Sequence, residues 1–495
     1  MKNLIKRYNP VTIFREMTGE EFKPMYRSIM LMAFPAFVEL FLSSLYGMVN
    51  MIMVGNLDAE GAGNISAVGI TNQPFFILIS FFAAVNIGTT TLVAWRIGEG
   101  RRKEASDVLR QSLLVNVFLA VILGAVGVLV APNVMAFMAG TADYDAIRMA
   151  ELATDYFRII CISIPFLAIN QAITAALRGA GQTKIPMYYN LFANGLNVVL
   201  GYIFIFGHFG VPEHLQGVRG AAIATTLSRF VSALIPLCYV FFSKRATIRL
   251  KLRGSWLPKA NIIKLLMSIG FPASLEQLFL QSGLLLFQRA VNTLGAATFD
   301  AHQIAISING MAFSVSMAFS ITATTLCGQA VGQGDTALAE LRTRHIARLA
   351  RLSTFVVAIS VFVFRGPLIG LYTSNEDVIR AALPVFALIA AIQYIQSVQM
   401  CRAGALRGAG DTMFPFYSSL LGIWLLRVPL AYLFIWLLGE HGPWGLSFGL
   451  MGAWASFFFD QSLRNLIIKI RFDRGKWKGI KEKKDRKREL LKKAG

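Results

Sequence analysis

The sequence predicts an all-α polytopic membrane protein: twelve transmembrane helices forming two parallel six-helix repeats around a central cleft. Three observations lead there. Of the 495 residues, 55% are hydrophobic and only 15% charged, against about 25% charged in soluble globular proteins. Apolar runs of roughly 20 residues recur from end to end, and such runs cross a bilayer as helices because lipid satisfies no backbone hydrogen bonds. One stretch is also written twice, "ALRGAGQTKIPMYYNL" from Ala176 and "ALRGAGDTMFPFYSSL" from Ala405.

In chain order, residues 1–28 are polar and are expected to form a cytoplasmic segment; no cleavable signal peptide is visible in them. Six spans follow, at about 29–54, 67–94, 108–131, 153–177, 184–207 and 219–242. They make a first bundle over 29–242. A basic linker, 243–260, leads to the second bundle, 261–470. Its spans are expected at 261–290, 300–326, 346–364, 378–405, 413–436 and 448–470. A basic tail, 471–495, ends the chain.

The net charge of +21 raises the possibility of nucleic acid as a partner, but its distribution argues for topology. With the N-terminus inside, the internal segments hold 40 of the 48 Lys and Arg. By the positive-inside rule, both termini are cytoplasmic. From Arg464 onward there are 14 basic and 4 acidic residues. That stretch reads as an anchor and topology signal, with anionic lipid head groups as a reasonable contact. The four cysteines, Cys161, Cys238, Cys327 and Cys401, have no close spacing and suggest neither a disulfide framework nor a metal site.

The duplication extends beyond sixteen residues. "AFPAFVE" at 33–39 returns as "GFPASLE" at 270–276, "RIGEG" at 96–100 as "AVGQG" at 330–334, and "GVRGAAIA" at 217–224 as "GLMGAWAS" at 449–456. The order is kept and the offset is nearly constant, so the chain is two homologous halves. Six spans per half keep both halves in one orientation, related by an axis along the membrane normal. The A-L-R-G-A-G motif reads as a tight cytoplasmic turn, with glycines for φ > 0 and an arginine holding the turn at the inner head groups. Pro186 and Pro415 fall near the start of the next helix, where a missing N–H costs least. Two such bundles describe a transporter that rocks about a midplane site. No selectivity-filter loop favours a channel.

Ionisable residues inside a membrane are costly and mark candidate sites. Glu39 lies about ten residues into the first span, roughly 15 Å deep, and Glu276 is its repeat mate in span seven. Each stands four residues after a proline, Pro35 and Pro272, about one turn on and on the same face. Each proline frees a carbonyl, at Leu31 and Ser268, and is expected to kink its helix. A carboxylate there can exchange a proton, hold a cation, or stay protonated and bond a neighbouring helix. Gln277 and Gln281 are polar companions of Glu276, for binding or for interhelical packing. Asn190, Asn194 and Asn197 share one helical face. With Asn50, Gln73 and Glu39 they could line a polar pocket or simply bond between helices. His302 could shuttle protons, although polar packing is the commoner fate of a lone intramembrane histidine. Arg427 and Arg229 call for an acid or carbonyl partner, and Asp460 is spaced to pair with Arg464.

Several stretches together resemble the multidrug and toxic compound extrusion (MATE) family. They are "FPAFVELFLSSLYGMVNMIMVGNL", "GFPASLEQLFLQSGLLLFQRAVNTLGAATFDAHQIAISING", both A-L-R-G-A-G loops, "GAAIAT" and "LRVPLAY". The likeness covers about residues 29–470. It implies H+- or Na+-coupled antiport of amphiphilic organic cations across a bacterial cytoplasmic membrane, by a secondary transporter rather than an enzyme. No cofactor is implied beyond the transported ion, and the expected state is a monomer in the lipid bilayer. Members usually carry Asp where this chain has Asn50, and some carry an acid or Asn at the position of Gly201; Asn197 matches a family polar position. Asn can neither exchange a proton nor carry charge, so the usual first-half cation site is altered. Related readings are a flippase of lipid-linked sugars, for which Arg229 and Arg427 are too few deep cations, or an exporter of one metabolite. An integral-membrane enzyme finds no metal cluster or Ser/His/Asp arrangement to support it.

Overall fold

The computed structural model describes residues 23–55, 62–139, 144–251, 256–373, 375–438 and 449–493. The first half comprises α1 (Lys23–Gly55), α2 (Ala62–Gly98), α3 (Arg102–Ala139), α4 (Tyr144–Ile162), α5 (Ile164–Gly179), α6 (Lys184–Phe206) and α7 (Gly217–Phe242). The second half repeats the plan with α8 (Ala260–Asn292), α9 (Ala296–Gly332), α10 (Thr336–Val363), the short α11 (Arg365–Gly370) and α12 (Glu376–Gly408). It continues through α13 (Met413–Leu420), a π-helical segment Leu421–Arg427, α14 (Val428–Leu438), α15 (Gly449–Asp473) and α16 (Ile480–Lys493).

Ten spans among the described residues are long and apolar enough to cross a membrane, with α13 and α14 joined through the π segment as one of them. The pair α4 and α5 makes an eleventh, bent by 46°. The bend falls at Ser163, where Pro165 in the first turn of α5 cannot donate to the preceding turn. The twelfth span is α15, whose Asp460, Arg464, Lys469 and Arg471 make it less apolar than the others. Side chains such as Phe118, Leu129 and Phe137 on α3 are 67, 77 and 84% exposed. Water would not tolerate such a surface, and lipid requires it.

The chain divides into two compact units, one of Met1–Phe37 with Leu275–Gly495 and the other of Val38–Ser274. Helices α1 and α8 therefore each begin in one unit and continue in the other. The change falls two residues after Pro35 in α1 and two after Pro272 in α8. Glu39 and Glu276 are each the second residue beyond it.

The duplicated motif does two structural jobs in each half. It ends a helix in a Schellman cap: Gln182 N–H bonds the Leu177 carbonyl at 2.8 Å, and Asp411 N–H the Leu406 carbonyl at 2.8 Å. Gly181 (φ 85°) and Gly410 (φ 87°) supply the left-handed residue that the cap needs. The motif also lets backbones touch. Thr90 Oγ1 donates to the Ala175 carbonyl at 3.0 Å, and its repeat mate Thr324 donates to the Gly404 carbonyl at 2.9 Å. A Cβ on Gly179 would stand 2.6 Å from the Thr90 carbonyl oxygen, and one on Gly408 would stand 2.2 Å from that of Thr324. Small residues at such crossings are how lipid-embedded helices gain close packing. Among the described residues, α9 and α12 make the most extensive helix contact. Its unit has an aromatic and aliphatic core around Trp454, Phe386 and Ile389.

The basic tail does not stand free. Trp477 is 1% exposed and stacks on Phe472. Lys478 pairs with Glu340 at 2.8 Å, and Lys481 donates to the Gly332 carbonyl at 3.2 Å. Lys484 donates to the Gly410 carbonyl at 3.0 Å, and its burial pushes the ammonium pKa down to about 8. The expected anchor thus holds to the loops of its own unit. Helix-end carbonyls left unpaired by α9 and α12 give the lysines acceptors there.

Candidate functional site

Pro272 lies inside α8, and Glu276 follows it one turn later with 4% of its surface exposed. Both of its oxygens accept from Nη2 of Arg407, each at 2.8 Å, and Ser419 Oγ donates to Oε1 at 2.9 Å. Ser419 in turn accepts from Arg464 Nη1 at 3.4 Å. Arg464 Nη2 donates to Asp460 Oδ2 at 3.0 Å, and Arg427 Nε donates to the same oxygen at 2.8 Å. A continuous polar chain, Arg407–Glu276–Ser419–Arg464–Asp460–Arg427, therefore runs through the unit. Its three guanidinium groups face two carboxylates.

The π-helical segment makes the second half of that chain possible. One extra residue per turn re-aims the side chains that follow, and Arg427 at its end lies with its guanidinium carbon 3.8 Å from the Phe457 ring centroid. Gly422 within the segment leaves room for α15. A Cβ there would meet Asp460 Oδ1 at 2.2 Å and Arg464 Cγ at 2.6 Å.

The other unit repeats the first link. Arg178 Nη2 lies 2.9 Å from Glu39 Oε1, and Asn190 Nδ2 donates to the same oxygen at 2.6 Å. Arg178 is the repeat mate of Arg407, and Asn190 that of Ser419. Asn170 carries the network on, donating to Asn190 Oδ1 at 3.0 Å and to the Ser232 carbonyl at 2.9 Å. Ser232 is the mate of Arg464 and Ser228 that of Asp460, so the outer charges of the second half are hydroxyls here. Glu39 Oε2 is buried with no partner among the described residues.

Expected at the inner head groups, Arg178 and Arg407 are instead turned into their units. The reason is energetic. A buried carboxylate in lipid costs several kcal/mol unless a guanidinium matches it, whereas an arginine one residue from a helix end reaches inward at little cost. A signal was present in the sequence: Glu39 and Glu276 are repeat mates, and so are Arg178 and Arg407.

The other expected residues are dispersed. Gln277 and Gln281 are half-buried and make no side-chain hydrogen bond among the described residues. Asn194 donates to Ser43 at 3.2 Å. Asn197 is 4% exposed, and its amide oxygen has no partner among the described residues. Asn50 belongs to α1, but its side chain lies outside the described ones. His302 is fully buried among Phe287, Phe299 and Trp454, and Trp454 Nε1 donates to its Nδ1 at 3.2 Å. The structure thus brings Glu276 together with arginines and a serine, and places His302 in the aromatic core.

A cavity of about 400 Å³ opens among α1, α2, α4, α5, α6 and α7. Asn190, Asn194 and Asn197 line it, together with Asn170 and Ser232 of the Glu39 network. Tyr46, Phe75, Tyr156 and Arg229 complete the wall. Arg229, expected to need an acid or a carbonyl, donates instead to Ser163 Oγ at 2.7 Å, at the break between α4 and α5.

The MatE family model matches residues 35–203 and 272–433, one match per half. A probable multidrug resistance protein NorM of Thermotoga maritima is 32% identical over 479 residues, covering 96% of each chain. The multidrug resistance protein MdtK of Yersinia pseudotuberculosis is 27% identical over 86% of this chain and 92% of its own. Among solved structures, an outward-facing multidrug resistance MATE family transporter of the MOP superfamily superposes with a TM-score of 0.79. It is 22% identical and covers 91% of this chain and 97% of its own.

Proposed function

The chain belongs to the MatE family of membrane transporters, and we propose that it exports small amphiphilic molecules by proton-coupled antiport, with Glu276 as the group that trades its arginine for the coupling ion. One observation carries the reading: a buried carboxylate, just past the point where α8 changes unit, has both oxygens taken up by a single guanidinium. A gradient does work only through differential affinity between two states. Ionised Glu276 holds Arg407. Protonated Glu276 loses its charge, the pairing weakens, and Arg407 is released from α8. The guanidinium opposes any added cation at Glu276, proton or sodium, but a proton needs a single lone pair, whereas sodium needs several oxygen ligands where Arg407 and Ser419 already occupy the carboxylate.

The cargo expected from the family resemblance is an organic cation. Glu39, Glu276 and Asp460 are each already matched by arginine, so such a cation would have to displace a guanidinium to be held at one of them. Efflux of an amphiphilic dye from proteoliposomes, with proton and sodium gradients imposed one at a time, tests the coupling. The proton gradient alone is expected to drive uphill efflux. Efflux driven by sodium alone would overturn the assignment.

We place both termini in the cytoplasm, on the strength of the basic residues concentrated in the segments assigned to that side. Reporter fusions at Lys492 and within the 208–218 loop are expected to report opposite sides. The same side for both would exclude the six-plus-six arrangement.

A further inference from the structure

We propose that the cavity of the Val38–Ser274 unit binds an amphiphilic organic anion, an aromatic carboxylate, through Arg229. This goes beyond the coupling assignment, which concerns the other unit.

Charge is the first argument. Among the described residues no acid lines the cavity, and Arg229 does. The guanidinium lies over Phe75, 4.8 Å from the ring centroid, and one Nη donates to Ser163 Oγ. An arginine carries five N–H donors, and Arg229 has no acidic partner among the described residues. By contrast, Arg178, Arg407, Arg427 and Arg464 are each matched with a carboxylate. Glu39, the acid whose network reaches the cavity wall, has its charge met by Arg178. A guanidinium inside a membrane unit without a counter-ion is costly. A ligand carboxylate would supply the missing charge in the forked geometry that arginine favours.

The rest of the wall fits the rest of such a ligand. Phe75, Phe76 and Phe157 offer apolar faces for a ring system, and Tyr46 and Tyr156 offer hydroxyls near the guanidinium. The amide oxygen of Asn197, without a partner among the described residues, is an acceptor for a ligand N–H or O–H. The volume, about 400 Å³, lies in the ordinary range for small-molecule sites. An organic cation meets a positive wall in the same space, with no carboxylate among the described lining residues to offset it.

The experiment is equilibrium binding to the purified full-length protein in detergent, using naphthoate, naphthylmethylammonium and naphthylmethanol as isosteric probes. Naphthoate is expected to bind at least about tenfold more tightly than the ammonium analogue, with the alcohol between them. Arg229→Gln is expected to lose that preference, and Arg229→Lys to keep most of it. If Arg229→Gln does not fold, the isostere ranking on the wild-type protein decides alone. Equal or tighter binding of the ammonium probe, naphthoate affinity unchanged in Arg229→Gln, or no naphthoate binding at millimolar concentration would each overturn the proposal. Binding is read without a gradient and repeated in Glu276→Gln, so failure here and failure of the coupling assignment are separable.

Discussion

Glu276→Gln is expected to abolish uphill efflux while leaving the protein folded. Glutamine keeps the side chain's shape and fixes it in the uncharged form, which corresponds to the proton-bound state. It can still accept one hydrogen bond from Arg407, but it cannot discharge. Gradient-driven efflux in proteoliposomes should therefore fall to that of protein-free vesicles, while gradient-free exchange of labelled cargo persists. Arg407→Gln should be at least as damaging, because it strands a carboxylate that is only 4% exposed. Removing one partner of a buried pair costs about 3–5 kcal/mol. The double variant, Glu276→Gln with Arg407→Gln, discriminates between roles. It should regain most of the thermal stability and none of the uphill transport. If stability and transport return together, or if Glu276→Gln pumps at near the wild-type rate, Glu276 is a packing residue and coupling resides elsewhere.

The largest stability effect is expected at Asp460. It is fully buried and accepts from two arginines on different spans, Arg427 and Arg464. Asp460→Leu would leave both guanidinium groups without a counter-ion. Each broken pair costs about 3–5 kcal/mol, and the sum approaches the whole stability of an ordinary fold, about 5–15 kcal/mol. The variant should aggregate on extraction or melt far below the wild type, read by size-exclusion chromatography and tryptophan fluorescence. Replacing the cluster together, with Arg427→Met, Asp460→Leu and Arg464→Met, should restore a monodisperse protein, since apolar residues of similar volume often substitute for a buried ionic cluster at no loss. An Asp460→Leu protein that melts at the wild-type temperature would show that this network does not hold α15 against the π-helical segment.

The sequence by itself determined the membrane class, the spans and the two-fold repeat. It could do so because lipid imposes an apolar run of fixed length on every crossing helix, whatever that helix packs against. Duplication likewise leaves its mark on the letters alone. The face shared by Asn190, Asn194 and Asn197 was legible for the same reason, since helical periodicity is local. Tertiary structure decided which charge meets which. Glu276 and Arg407 are 131 residues apart, and Glu39 and Asn190 are 151 apart, so their meeting depends on how helices cross. That crossing is set by small residues such as Gly179 and Gly408, whose missing side chains let backbones approach. The same holds for His302, which could have shuttled protons but is enclosed by aromatic rings, and for Arg427, which a π-helical turn swings onto Asp460. The cavity at Arg229 is the extreme case. A void has no residue of its own, so only the packing of six helices reveals a guanidinium beside it with no acid among the described residues to answer it.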